Sequence, residues 1–107
     1  MYMFSTSLIV SLLLSTQIMA SAERQRYSTC LRAFVDEKVE ARVSGSDFDT
    51  AIASACAQQE TAYRAAYVAA AVRAGDNRAS AERDAGLEVE DLRENYKGIF
   101  HGRTDPQ

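Results

Sequence analysis

The chain has 107 residues, with 12 Lys and Arg, 15 Asp and Glu, and a formal net charge of −3 at pH 7. Every charged side chain comes after residue 22, so the first 22 residues and the rest of the chain are two different kinds of sequence. This length is enough for one small domain and excludes a large multidomain enzyme.

Residues 1–22 have the pattern of a secretory signal peptide. Their apolar run, residues 8–14, is shorter than the about 20 residues needed to cross a bilayer. Small residues precede a signal-peptidase site, and Ala20-Ser21-Ala22 provides them. We predict cleavage before Glu23 and localisation in the periplasm or outside the cell. No Lys or Arg precedes the apolar run, so an uncleaved anchor that holds the domain on a membrane is the alternative.

The residues after the signal predict an all-α fold, a small three-helix bundle over residues 23–100. Apolar residues recur every three or four positions, as on one face of a helix. Gly45 ends the first stretch and Gly75 the second, because glycine readily adopts the left-handed conformation that closes helices. Ser46 and Asn77 are suitable caps for the helices that follow. The predicted helices cover residues 25–43, 47–74 and 78–100.

Residues 101–107 lack periodicity and are predicted to form a flexible tail. A single helix over residues 47–100 is an alternative to two helices, because no proline interrupts this stretch. At 1.5 Å per residue such a helix would be about 80 Å long, which a domain of this size could hardly cover. We therefore expect two helices.

Cys30 and Cys56 are the two cysteines of the chain, and we predict that they form a disulfide. Small exported domains use disulfides to supplement thin cores. In a straight hairpin of the first two helices, the cysteines would be about one turn out of register. A bridge therefore requires a tilted hairpin or a lopsided turn. The alternative, a redox-active or metal-binding pair, lacks the C-x-x-C spacing.

The helix predicted over residues 47–74 is apolar on more than one side in its second half. Residues 65–72 are therefore either the centre of a three-helix core or a dimer seam. Two tyrosines one turn apart beside small alanines suit a recognition surface, although rings buried in a helix interface are the alternative. Gln59 lies on the same stripe and is expected to hydrogen-bond across the bundle. The predicted interaction surface comprises Tyr63, Ala66, Tyr67, Ala69 and Ala70.

We predict no catalytic residue, no metal ligand and no cofactor. His101 is the single histidine and lies in the predicted tail, and no serine has the glycine neighbours of a nucleophile elbow. The acidic residues of helix 78–100 alternate with basic ones and form no calcium-binding loop. Lys and Arg are not clustered, so we also expect no nucleic-acid binding.

Two segments of the chain have a recognisable pattern: Cys30-Leu31-Arg32-x-Phe34-Val35 and Cys56-x-x-Gln59-Glu60-x-x-Tyr63-Arg64. With these segments the chain resembles a loose group of small exported helical proteins of Gram-negative bacteria. The group has no assigned activity, so the resemblance implies no functional residue. By architecture alone the chain is also similar to periplasmic acid-stress chaperones of the HdeA type, which are short, exported and helical, with one disulfide.

These features together predict a non-enzymatic, disulfide-linked helical module that acts through an unknown protein partner or as a homo-oligomer. One alternative is an acid-stress chaperone, which would expose apolar surface when its carboxylates are protonated. A membrane-anchored accessory subunit with an uncleaved signal is another, and it is the case in which we expect membrane contact.

Overall fold

The computed structural model describes the backbone of residues 2–105 and the side chains of residues 14–105. In this part of the chain there are four α-helices and no strand. The all-α prediction is confirmed, but the bundle has four helices where we predicted three. The helices are α1 (Tyr2–Glu40), α2 (Gly45–Ile52), α3 (Ala57–Arg73) and α4 (Arg78–Thr104).

The helix predicted over residues 47–74 is in fact two helices. α2 ends at Ile52, and the amides of Ser54 and Ala55 donate to carbonyls three residues earlier, at 3.2 Å each. Cys56 then adopts a left-handed backbone conformation, with φ 59° and ψ 40°, at the start of α3. Because the helix is interrupted at Cys56, α3 does not continue the axis of α2. The position of α3 along α1 is therefore not fixed by α2. This break is the lopsided turn that the disulfide requires.

Local capping explains where α2 and α4 begin. The Ser44 hydroxyl, rather than that of Ser46, accepts a hydrogen bond from the Asp47 amide at 3.2 Å, so α2 begins two residues earlier than predicted. The Asn77 side chain accepts from the amides of Ala79 and Ser80. The predicted start of the last helix, residue 78, is confirmed.

The core forms where α1, α3 and α4 meet. Cys30 lies beside Cys56 and Tyr27 lies beside Tyr63, so α1 and α3 run antiparallel. α2 closes one end of the bundle, since the Phe48 ring stacks on that of Phe100 with centroids 3.9 Å apart. The buried residues of the main core are Tyr27, Leu31, Val35, Phe48, Ile52, Tyr63, Val89, Leu92, Tyr96 and Phe100.

α1 is continuous from Tyr2 to Glu40 and crosses the predicted cleavage site without a break. It therefore begins well before the predicted residue 25 and ends three residues before the predicted residue 43. The side chains of residues 1–13, which include most of the predicted signal sequence, lie outside the described residues. No described helix has an apolar stretch long enough to cross a membrane.

The last helix extends four residues beyond the predicted boundary at Phe100. His101 Nε2 lies 2.9 Å from a carboxylate oxygen of Asp49 in α2, and Arg103 donates to Asp36 of α1 at 2.5 Å. Most of the predicted tail is thus the last turn of α4, and Pro106 and Gln107 lie outside the described residues. Apolar periodicity missed this turn because its contacts are polar.

Candidate functional site

The Cys30–Cys56 disulfide is confirmed. It joins the second half of α1 to Cys56, the residue that immediately precedes α3. The two Cα atoms are 6.1 Å apart, within the range that a disulfide spans. Both residues are half-buried. While the bond is intact, neither sulfur can act as a thiolate nucleophile or as a metal ligand.

The two tyrosines of the predicted interaction surface contribute to the helix interface. Tyr63 is 3% exposed, and its ring contacts those of Tyr27 and Tyr67 at centroid distances of 6.4 and 6.3 Å. Tyr67 is half-buried and packs against the main core and against a second, smaller cluster formed by Val68, Ala81 and Ala85. Tyr63 is therefore part of the core, whereas Tyr67 lies at its edge.

The alanines of the predicted surface lie at different depths. Ala66 and Ala70 are half-buried, and Ala69 is exposed. Ala70 lies across a groove from Gln17 and Ala20 of α1. The five predicted residues therefore do not form one exposed patch in this structure, because α1 covers one side of α3.

α3 has a second face that no other described element covers. The eight residues between Arg64 and Arg73 are all uncharged, and Ala65 and Ala69 are exposed one turn apart. We call this surface the outer face of α3. It comprises Gln58, Thr61, Ala62, Ala65 and Ala69.

A largely buried ion pair links α3 to α4 and was missed by the sequence analysis. Glu60 accepts hydrogen bonds from Arg93 of α4 and, at 2.8 Å, from Arg64 of α3. The side chains of Glu60 and Arg93 are 18% and 14% exposed. The signal available in the sequence was the position of Arg93, one turn after Val89 on the core stripe. Gln59 was expected to link the helices, but its neighbour Glu60 does so.

Two polar atoms in this region are buried and have no hydrogen-bond partner among the described residues. They are Nε of Arg93 itself and the hydroxyl oxygen of the nearby Tyr27. Burial raises the pKa of the Tyr27 phenol, Glu60 adds to this shift, and both the positive charge of Arg93 and an interaction of its side chain with the hydroxyl oppose it. That interaction does not have the geometry of a hydrogen bond. Burial also raises the pKa of Tyr63. Both phenols are therefore held in their neutral form.

Replacing Tyr27 with Phe should leave the free energy of unfolding at pH 7 unchanged or raise it by about 1 kcal/mol, since an unpartnered buried hydroxyl is removed. Because the pKa of Tyr27 is higher in the folded than in the unfolded chain, its neutral phenol stabilises the fold at every pH below the ordinary phenol pKa of about 10. This stabilisation is lost as the pH rises through the raised pKa. Tyr27→Phe should thus reduce the loss of stability above about pH 10. Urea unfolding followed by circular dichroism measures both effects.

Tyr96→Phe is the matched control. The Tyr96 hydroxyl is hydrogen-bonded to Ser28, so its removal should lower the free energy of unfolding by about 1 kcal/mol. An equal loss in the Tyr27 variant would show that the Tyr27 hydroxyl also has a partner.

α4 carries the basic partner of every interhelical ion pair among the described residues. Gly45 permits one of these contacts, because a Cβ at this position would lie 2.8 Å from Cε1 of His101. We call the three contacts the α4 ion pairs. They are Arg93 with Glu60, Arg103 with Asp36 and, when the imidazole is protonated, His101 with Asp49.

In the part of the chain that the structure describes, no three His, Cys, Asp or Glu side chains are grouped so that they could hold a metal ion. The chain matches no protein-family model, no curated protein and no solved structure.

Proposed function

We propose that the chain is a small exported, non-enzymatic helical module that self-associates through the outer face of α3. The observation that carries this proposal is the absence of charge on a long exposed helical face. One residue in four of the chain is charged (25%), so a face with three alanines and no charged residue stands out. Alanine side chains lose almost no conformational entropy and little hydration when another surface covers them.

Two copies of α3 could pack closely along this face. The distance between packed helices is about 8–10 Å and is set by the side chains at the contact, so alanines allow the closest approach. A two-fold dimer uses the same patch on both copies. Ala65 and Ala69 would then lie near the two-fold axis, where a bulky or charged side chain meets its own copy.

Analytical ultracentrifugation tests this proposal on residues 23–107, which contain both cysteines and every buried residue of the described side chains. We expect a concentration-dependent dimer, and Ala69→Arg should weaken it at least about tenfold, equivalent to about 1.4 kcal/mol. Ala41→Arg is the matched control, because Ala41 is exposed beyond the end of α1. A monomer up to about 1 mM, or equal effects of the two variants, would contradict self-association.

The export part of the proposal depends on the small residues at positions 20–22 and the apolar run before them. Mass spectrometry of the protein expressed with its native N-terminus should find a mature chain that begins at Glu23. A chain that still begins at Met1 would contradict cleavage.

A second candidate function, an acid-stress chaperone, is favoured by the α4 ion pairs. Each pair depends on a carboxylate of another helix, and carboxylic acids of proteins are protonated below about pH 4. Loss of these pairs would weaken the attachment of α4, while the disulfide still joins α1 to the start of α3. We expect such a chaperone to reduce aggregation of a client protein at about pH 2–4. No protection in that range would exclude this function.

A further inference from the structure

A groove runs along the last turns of α3. The first half of α1 lies over this groove in the structure but leaves part of it empty. Gln17 and Ala20 are the α1 residues that line it, while the larger apolar side chains of Leu14, Ile18 and Met19 are 53%, 67% and 62% exposed. A space of about 310 Å³ remains. We call this the α3 groove; it is lined by Gln17 and Ala20 of α1 and by Tyr67, Ala70, Ala71 and Ala74 of α3.

The α1 segment over the groove contributes nothing to the described core. Among the side chains that the structure describes, every buried one lies between Tyr27 and Phe100, and the disulfide begins at Cys30. Removal of residues 1–22 would therefore take away none of these buried side chains and would keep the covalent link. It would uncover Tyr67 and Ala70, two residues that the sequence pattern assigned to an interaction surface.

The groove also has an acidic side. Asp76 borders it, and the negative charges of Asp84, Glu88 and Asp76 act on the Tyr67 phenol, whose pKa is raised first by burial and then by these carboxylates. None of the three carboxylates forms an ion pair with a described residue. The α1 segment that lies over the groove, residues 14–22, carries no charge. It therefore does not neutralise the negative charge of these carboxylates. We call these three residues the acidic rim.

From this geometry we propose that the chain lacking residues 1–22 docks a cationic amphipathic helix of another protein in the α3 groove. A helix fits because a helix already occupies the position, antiparallel to α3. Its small and apolar side chains would cover Tyr67 and the groove alanines, and its Lys or Arg side chains would face the acidic rim. The proposal rests on the proposed cleavage before Glu23, and it adds a partner surface distinct from the outer face of α3.

Isothermal titration calorimetry with a synthetic peptide tests the proposal. The probe is a helix of about 18 residues, or five turns, with Ala and Leu on one face and Lys on the other. We expect residues 23–107 to bind it at least about tenfold more tightly than the full chain does, because α1 covers the groove in the full chain. A peptide of the same composition without an apolar face, and one with Glu in place of Lys, should bind neither form.

Variants of the groove localise the binding. Ala70→Arg should abolish it, and Asp76→Asn with Asp84→Asn should weaken it several-fold, whereas Ala41→Arg should not change it. In the full chain, Ala20→Glu places a carboxylate close to Asp76, which should displace the α1 segment and allow binding. This variant keeps the proposal testable if the shortened chain does not fold.

Three results would overturn the proposal. The first is equal binding of the peptide by the full and shortened chains. The second is that neither the shortened chain nor the Ala20→Glu variant binds the peptide up to about 1 mM. The third is binding that does not change when Asp76 and Asp84 are replaced with Asn. A dimer that Ala70→Arg disrupts and Ala69→Arg does not would assign the groove to a second copy. If the groove binds nothing but Ala69→Arg still disrupts a dimer, the proposed function stands and the docking proposal alone fails.

Discussion

Replacing both Cys30 and Cys56 with Ala should lower the free energy of unfolding by about 3–4 kcal/mol. The disulfide closes a loop over a sequence separation of 26 residues, and the chain-entropy model gives this cost for a loop of that length. For a domain of this size the melting temperature should fall by about 15–25 °C. Thermal unfolding followed by circular dichroism on residues 23–107 measures the change.

A second variant separates the covalent bond from the backbone strain at Cys56. The residue has a left-handed backbone conformation, which costs a residue with a side chain about 1–2 kcal/mol more than glycine. The pair Cys30→Ala with Cys56→Gly should therefore be about 1 kcal/mol more stable than the double Ala variant. If the wild-type protein keeps its full stability after reduction of the disulfide, the bond contributes little, and the expected loss is wrong.

The second large effect is expected at the buried ion pair between α3 and α4. Glu60→Ala should lower the free energy of unfolding by about 2–3 kcal/mol, because it leaves the largely buried Arg93 with only the more exposed Glu90, at 3.8 Å, as a charge partner. Glu94→Ala is the matched control, since Glu94 pairs with Lys97 on the surface, where its side chain is 59% exposed. The control should cost less than about 1 kcal/mol. Urea unfolding of both variants at neutral pH measures the difference.

Replacing both partners distinguishes a lost attraction from an unpaired buried charge. Glu60→Leu with Arg93→Met fills similar volume without charge and should have a stability within about 1 kcal/mol of the wild-type protein. If the double variant is as unstable as Glu60→Ala, the pair itself stabilises the fold and the argument from an unpaired charge is wrong.

The apolar stripes were sufficient to identify the core faces of α1 and α4. Tyr27, Leu31 and Val35 recur at helical spacing and are all buried, as are Val89 and Tyr96. The break between α2 and α3 could not be predicted, because residues 53–56 are Ala-Ser-Ala-Cys and contain neither glycine nor proline. The break depends on the bond to Cys30 and on the packing of α2 against α4, and both involve residues distant in sequence.

The candidate surface was only partly predictable for the same reason. The sequence placed Tyr63, Tyr67 and the nearby alanines on α3, but exposure depends on which helices cover each side. Tyr63 is buried against Tyr27 of α1, and Ala69 is exposed. Glu60 and Arg93 are charged and so were taken to be solvated, although Arg93 follows Val89 by one turn; they pair because α3 and α4 pack together.

The sequence was sufficient to predict the all-α class, the pairing of the two cysteines and the start of α4 after Asn77. These properties follow from local spacing, from the number of thiols and from a cap that acts within three residues. It could not predict the break at Cys56, the burial of Tyr63, the Glu60–Arg93 pair, or the division of α3 between an outer face and a groove. Each of these depends on how α1, α3 and α4 pack, and helix packing brings together residues that no local pattern relates.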